Sequence, residues 1–159
     1  MIELFTKTRI HAPVKRCFDL ARSVEVHLKG NVHFGEQSVA EGGVTSGLIG
    51  LGQRVTWRAR HFGVRQTLTS EITAFDSPRY FQDTMLRGAF SKMQHDHYFI
   101  SLAPHVTQMR DTFRFEAPLG ILGRIAESLV LRDYMLALLK ERNAVLKEIA
   151  ESNEWQKYL

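Results

Sequence analysis

The residues from Leu122 to Ser152 form the pattern that most constrains the fold of this chain. They contain no proline, and their only glycine is Gly123 at the start. Apolar residues recur at steps of three and four, which is the period of an α-helix with one buried face. Charged residues, Arg142 among them, fall on the other face, which we expect to be solvated. Such a helix would be about 45 Å long, so the pattern predicts a large apolar surface that covers it.

The middle of the chain supplies that surface. Five runs between residues 53 and 116 alternate between apolar and polar side chains, which is typical of half-buried strands. A similar run at residues 2–10 opens the chain, and two short helices follow it, one after Pro13 and one capped by Ser23. This order predicts an α+β fold in which a curved antiparallel β-sheet is wrapped around a long C-terminal α-helix.

Glycines punctuate residues 29–52, which carry few apolar side chains before Leu48. A connection of this length is uncommon in a compact domain and is often a lid or a binding loop. Two interpretations stay open for it. It is either a lid, with residues 42–52 gating entry to the interior, or a mobile surface connection.

Composition excludes several classes of protein. The length of 159 residues predicts a single domain over residues 1–159. The net charge of +4 is small and dispersed, so we predict no nucleic acid partner. The N-terminus lacks the apolar core of a signal peptide, and no apolar run is long enough for a transmembrane helix. The single cysteine, Cys17, fits a reducing compartment, so we expect a cytoplasmic protein.

Five segments of the chain resemble one superfamily. They are IHAPVKRCFDLARSVEVH at 10–27, VTWRARHFG at 55–63, SPRYFQDTMLRGAF at 77–90, HDHYF at 95–99 and APLGILGRIAE at 117–127. Over essentially its whole length the chain resembles the START/Bet v 1-like superfamily, also called SRPBCC, and within it the polyketide cyclase/dehydrase-like and coenzyme Q-binding branch. The resemblance implies the helix-grip fold, with a hydrophobic cavity between sheet and long helix. Members bind lipids, quinones, sterols or polyketides and only some catalyse, so no single activity is implied.

Strand alternation, carried across the hairpins, predicts a row of polar residues on the cavity side. His97 falls opposite or diagonal to Asp83 on the preceding strand and opposite Asp111 on the following strand, with His95 one step away. A slip of one residue in register would move a whole strand's set to the other face of the sheet. The same alignment of the first hairpin sets His61 opposite Val64 and Trp57 opposite Leu68.

The polar row has three interpretations. It is a structural network in which carboxylates and an imidazole satisfy each other, a site that orients a ligand's carbonyl or hydroxyl, or an acid–base site with His97 as base and Asp111 orienting it. The His-x-His spacing with nearby carboxylates is a weak zinc signal, so we predict no metal and no cofactor. The full set of predicted ligand-binding residues is Trp57, His61, Asp83, Met85, Met93, His95, His97, Phe99, Met109, Asp111, Phe113 and Tyr134.

The function predicted from these observations is the binding of a small hydrophobic molecule, such as a lipid, a quinone or a polyketide-like compound, by a carrier or sensor. One alternative is an enzyme, a cyclase or dehydratase acting on a polyketide-like carbonyl compound through His97 and Asp111. A further alternative is a protein-interaction module, which a sealed or very small cavity would favour. Outward arginines predict either a solvated face or peripheral contact with anionic lipid or a protein: Arg54, Arg58, Arg60, Arg65 and Arg114.

Overall fold

Seven strands form one antiparallel sheet in the computed structural model, which describes residues 1–40, 43–117 and 130–159. The spatial order is β1-β7-β6-β5-β4-β3-β2, so the first strand lies beside the last and every other neighbour is consecutive. The strands are β1 (Ile2–Ile10), β2 (Gln37–Ser38), β3 (Arg54–His61), β4 (Val64–Asp76), β5 (Tyr80–Arg87), β6 (Lys92–Ala103) and β7 (Val106–Glu116). Only the two-residue β2 was not predicted.

Within the described residues, three α-helices accompany the sheet: α1 (Val14–Ala21), α2 (Val24–Gly30) and α3 (Arg132–Glu151). The side chain of Ser23 caps α2, as predicted, by accepting a hydrogen bond of 3.3 Å from the backbone N–H of Val26. The twenty residues of α3 make it about 30 Å long. It ends one residue before the predicted Ser152, and residues 122–129 of the predicted helix lie outside the described ranges.

The core lies between the inner face of the sheet and the helices. Phe18 of α1 is fully buried and meets three aromatic rings edge-on at centroid distances of 5.4 to 5.6 Å. Those rings belong to Phe75, Phe81 and Phe99. The buried side chains of α3 are Leu138, Leu139, Leu146, Ile149 and Ala150. The described structure is therefore the predicted α+β helix-grip fold, a sheet closed by a long C-terminal helix.

The hairpin between β3 and β4 has the predicted register, with Trp57 opposite Leu68 and His61 opposite Val64. Its two-residue turn places both Phe62 (φ 51°) and Gly63 (φ 73°) in the left-handed region. Two left-handed residues match the right-handed twist of the flanking strands. Glycine adopts this conformation freely, whereas phenylalanine rarely does.

The segment from 29 to 52 is tied to its neighbours along its described length. The backbone N–H groups of Val39 and Val44 donate to carbonyls of β3 at 3.0 and 2.9 Å, and that of Ile49 donates to the Arg22 carbonyl at 3.0 Å. Residues 41 and 42 lie outside the described ranges. The gating role expected for residues 42–52 stays a prediction.

The outer face of the sheet is less basic than its arginines suggest. Arg54 pairs with Glu71 at 2.6 Å, and Arg114 pairs with both Glu3 and Asp96. Peripheral contact with anionic lipid therefore stays a prediction that rests on the remaining three arginines. Among the described helices, none combines the length and the apolar character needed to cross a bilayer.

Candidate ligand-binding cavity

A cavity of about 350 Å³ lies between the inner face of the sheet, α2 and α3. Most of the described side chains that line it are apolar. They include Ile49, Trp57, Leu68, Phe81, Phe90, Met93, Phe113, Leu131, Met135 and Leu138. The polar groups that line it include a cluster on β5 and β6, a second cluster joining α2 to α3, a pair at the rim, and Gln66 and Ser70 of β4.

Eight of the twelve predicted binding residues line this cavity: Trp57, His61, Asp83, Met93, His95, His97, Phe113 and Tyr134. Four do not line it, and their contact with a ligand stays a prediction. Phe99 and Met109 pack in the core around Phe18, and Met85 packs in a second core cluster. Asp111 lies behind the histidines, where it is 2 % exposed.

Asp111 is the centre of the first polar cluster. Its Oδ1 accepts from His95 Nε2 at 3.1 Å and lies 3.0 Å from His97 Nδ1, while its Oδ2 accepts from Thr6 at 2.8 Å and from Asn143 at 2.6 Å. Burial alone would raise the pKa of this carboxyl, but the hydrogen bonds and charges of the two histidines hold it well below its ordinary value. The Asp111 carboxylate is thus saturated by protein donors.

His97 lies between two carboxylates, as the predicted register required. It is paired with Asp111 across β6 and β7, and its Nε2 lies 2.9 Å from Asp83 Oδ2 on the diagonal. Burial would lower the pKa of His97, but hydrogen bonds to Asp111 and Asp83 raise it to about 9. Because both ring nitrogens donate to carboxylates, the geometry argues against the expected role of His97 as a general base.

His95 has a different environment from His97, although the two rings are only 3.8 Å apart. Its Nε2–H is held by Asp111, and its Nδ1 lies 4.0 Å from Asp83 Oδ2. Burial and the positive charge of His97 lower the pKa of His95, so the neutral ring is favoured. Its Nδ1 lone pair therefore remains available on the cavity side.

A second polar cluster joins α2 to α3, and sequence reasoning missed it. Arg142 donates to His27 Nδ1 at 2.8 Å, and His27 Nε2 lies 2.9 Å from Glu36. The imidazole also stacks on Trp57 with ring centroids 3.8 Å apart. Burial and the charge of Arg142 lower the pKa of His27, while the pKa of Glu36 falls because the effect of burial is outweighed by His27, Asn31 and Arg142. His27 is thus held neutral between a cation and an anion.

One atom of this second cluster has no partner. Asn31 lines the cavity and is 4 % exposed, and its amide N–H group donates to Glu36 at 2.7 Å. Its Oδ1 has no hydrogen-bond partner among the described residues. A buried acceptor without a donor is costly, so this oxygen is a natural acceptor for a hydroxyl or N–H group of a bound molecule.

The sequence held one signal for this cluster. We assigned Arg142 to the solvated face of the long helix, but it lies four residues after Leu138 and four before Leu146, on the same stripe. That spacing places its side chain on the cavity side, where it lines the wall. No comparable signal existed for Glu36, because its position depends on the path of an irregular segment.

The rim carries a third polar contact, between the β3–β4 hairpin and α3. His61 Nδ1 lies 2.6 Å from the hydroxyl of Tyr134, and the ring of Phe62 packs 4.5 Å from that of Tyr134. Burial lowers the pKa of His61 and raises that of Tyr134. The contact therefore joins a neutral imidazole to a neutral phenol across one side of the cavity.

Known proteins resemble this chain in fold and only weakly in sequence. No protein-family model matches the chain, and no curated protein matches it in sequence. Among solved structures, a START superfamily protein from Mycobacterium smegmatis is 12% identical, covers 94% of this chain and 97% of its own, and gives a TM-score of 0.67. The chain has the START/Bet v 1-like helix-grip fold.

Two further solved structures are similar to this chain. A major latex-like protein from Panax ginseng is 14% identical over 95% of this chain and 98% of its own, with a TM-score of 0.68. A protein of Thermus thermophilus is 19% identical over 91% of this chain and 97% of its own, with a TM-score of 0.70. Similarity at this level of identity shows the fold and leaves the function to be argued from the cavity.

Proposed function

We propose that this protein binds a small, compact, mainly apolar molecule with a hydrogen-bonding group, and acts as its carrier or sensor. The observation that carries the proposal is the cavity, whose apolar walls surround a few fixed polar groups. Ligand sites typically combine an apolar lining with a few placed polar groups that orient the ligand. The unpartnered Oδ1 of Asn31 supplies an acceptor for a hydroxyl or N–H group.

The volume narrows the range of ligands. About 350 Å³ lies near the lower end of the roughly 300–1,000 Å³ typical of ligand sites. A ring system or a short polyketide-like molecule matches this space better than a long acyl chain or a quinone with its full isoprenoid tail. Trp57, Phe81 and Phe113 offer flat surfaces against which rings can pack.

The two alternative functions receive less support. A protein-interaction module was expected to have a sealed or very small cavity, whereas this cavity is of ligand size. An enzyme of the expected kind would use His97 as a base, yet both nitrogens of His97 are engaged by carboxylates. Binding without transformation therefore remains the function that the geometry supports best.

A dye titration tests the proposal. Ala59 lines the cavity and Ala103 is exposed at the end of β6, so Ala59→Leu and Ala103→Leu make the same change inside and outside the cavity. The probe is 1,8-anilinonaphthalene sulfonate, an apolar fluorescent anion. We expect Ala59→Leu to weaken its binding at least about 10-fold, because the added methyl groups occupy cavity space, and Ala103→Leu to leave it unchanged.

Equal dye affinity in the wild type and Ala59→Leu would contradict the proposal, provided that both proteins are folded by circular dichroism. Native mass spectrometry of protein purified from its own host then identifies the occupant. A stoichiometric apolar molecule is the expected result.

A further inference from the structure

The two histidines of β6 share one buried carboxylate. His95 and His97 are two residues apart on the same face of the strand, and each directs a ring nitrogen to Asp111 Oδ1, at 3.1 and 3.0 Å. The N–H groups at these positions are fixed by the carboxylate, so the opposite nitrogens, His95 Nδ1 and His97 Nε2, face away from it. Both of these nitrogens lie toward Asp83, at 4.0 and 2.9 Å from its Oδ2.

This arrangement has the composition and spacing of a metal site. One donor atom from each of Asp83, His95 and His97 lies within 4.8 Å of the other two. Ligand atoms about 2.05 Å from a tetrahedral zinc ion are about 3.3 Å apart. The distances of 4.0 and 2.9 Å to Asp83 bracket that value, so small side-chain shifts would bring the three ligand atoms around one ion.

The surroundings also match a metal site. Histidine ligands usually donate their second N–H to a carboxylate, which fixes the ring and its tautomer. Asp111 does this here for both rings, and Thr6 and Asn143 in turn hold the other oxygen of Asp111. All three candidate ligands line the cavity, which leaves a coordination position open on that side.

We propose that Asp83, His95 and His97 bind a divalent transition metal ion, zinc first among them, with Asp111 orienting both imidazoles. The ion takes the place of the proton that His97 Nε2 shares with Asp83, and that proton is released to solvent. Two imidazoles and one carboxylate are ligands that zinc accepts readily. The open position takes water or a heteroatom of a molecule bound in the cavity.

This proposal does not depend on the ligand proposed above, because it concerns the protein and the metal alone. The test is a titration of metal-stripped protein with zinc chloride in competition with a chromophoric chelator. We expect one zinc ion per chain and a loss of affinity of at least about 100-fold in both His95→Gln and Asp83→Asn, each of which removes a ligand. Asp111→Asn is expected to weaken binding about 10- to 100-fold, as loss of an orienting partner does.

Matched controls separate this site from surface binding. His33 is exposed and Asp76 is the exposed last residue of β4, so His33→Gln and Asp76→Asn repeat the two substitutions away from the cluster and should leave zinc affinity unchanged. Zinc binding that survives in His95→Gln and Asp83→Asn assigns the ion to the surface and overturns the proposal, as does the absence of 1:1 binding to the wild type. Should the variants fail to fold, the imidazole NMR signals of the wild type during the zinc titration show which histidines bind the ion. Zinc must perturb His95 and His97 before the exposed histidines.

Discussion

Asn143 of α3 donates a hydrogen bond of 2.6 Å to Asp111 Oδ2 on β7. The same amide reaches Thr6 of β1 at 2.9 Å, and Thr6 itself donates to Asp111 at 2.8 Å. A polar contact thus joins the helix to the sheet. It fixes the position of α3 along the sheet, because a shift of one turn would leave the carboxylate without its donor from Asn143.

Replacing Asp111 tests how much this network contributes to stability. We expect Asp111→Asn to lower the free energy of unfolding by about 3 kcal/mol, since breaking a buried charged network leaves its partners uncompensated. The matched change Asp76→Asn, at an exposed ion pair, should stay within about 0.5 kcal/mol. Urea denaturation monitored by circular dichroism measures both values, and a loss below 1 kcal/mol for Asp111→Asn would show that the network is dispensable.

The neutral state of His27 predicts a dependence of stability on pH. Its folded pKa is lowered by burial and by Arg142, against the opposing charges of Glu36 and Asp83. Protonation of His27 is therefore disfavoured in the folded state. The contribution of the neutral His27 ring to stability is present above pH 6.5 and is lost as the pH falls below that value. The difference in unfolding free energy between the wild type and His27→Gln should narrow from pH 7 to pH 5, by at most about 1.4 kcal/mol per pH unit.

Denaturation curves of both proteins at several pH values measure this difference. An NMR titration of the His27 ring supplies an independent check, because a midpoint above 6.5 would contradict the predicted direction. A difference that widens on acidification would contradict it as well.

Phe62 occupies a turn position that suits asparagine better. Its φ of 51° is unfavourable for an aromatic residue, whereas asparagine adopts this conformation readily and precedes glycine in many such turns. We expect Phe62→Asn to leave stability unchanged within about 0.5 kcal/mol or to increase it, and to accelerate dissociation of a bound dye, because the ring that packs on Tyr134 is lost.

Stopped-flow displacement of the dye measures the dissociation rate. The comparison variant is Tyr134→Phe, which keeps the aromatic contact and removes only the hydroxyl bonded to His61. An unchanged rate in Phe62→Asn would mean that ligands do not pass this side of the cavity.

Gly30 allows α2 to approach α3 closely. A Cβ atom at this position would lie 3.2 Å from Cγ and 3.3 Å from Cα of Arg142. We expect Gly30→Val to cost about 1–3 kcal/mol, as overpacking at a helix contact does, and to disturb the bond between Arg142 and His27.

The control for this change is Gly50→Val. A Cβ atom at Gly50 would lie 3.8 Å from Gln53 Oε1, and the φ of Gly50 is outside the left-handed region. Thermal denaturation compares the two variants, and equal transition temperatures would contradict the close approach at Gly30.

Much of the site could be predicted because strand alternation and short turns together fix register. The hairpin of β3 and β4 turns on Phe62 and Gly63, so each cross-strand pair follows by counting. The predicted pairing of His97 with Asp111 is also present, but the register of β6 and β7 shifts by one residue between Ser101 and Ala103, which counting from the turn does not give. Alternation gives only the face on which a side chain lies. It does not give the depth, which depends on the helix that covers each part of the sheet.

Phe99 and Met109 illustrate this limit. Both are on the inner face, as predicted, but α1 covers their end of the sheet and Phe18 packs against them, so they belong to the solid core. Glu36 illustrates the other limit. It reaches His27 through a segment without regular periodicity, whose path is set by tertiary contacts that a sequence pattern does not encode.

The network around Asp111 also has a consequence for the order in which the chain acquires its structure during synthesis. Thr6 and Asp111 are 105 residues apart, and Asn143 follows Asp111 by another 32. The first strand, which among the described strands neighbours β7 alone, must therefore wait for most of the chain to leave the ribosome. Only when α3 follows does the carboxylate gain its last donor. A nascent chain halted before α3 holds this acidic group incompletely bonded, and such a chain is a natural substrate for chaperones.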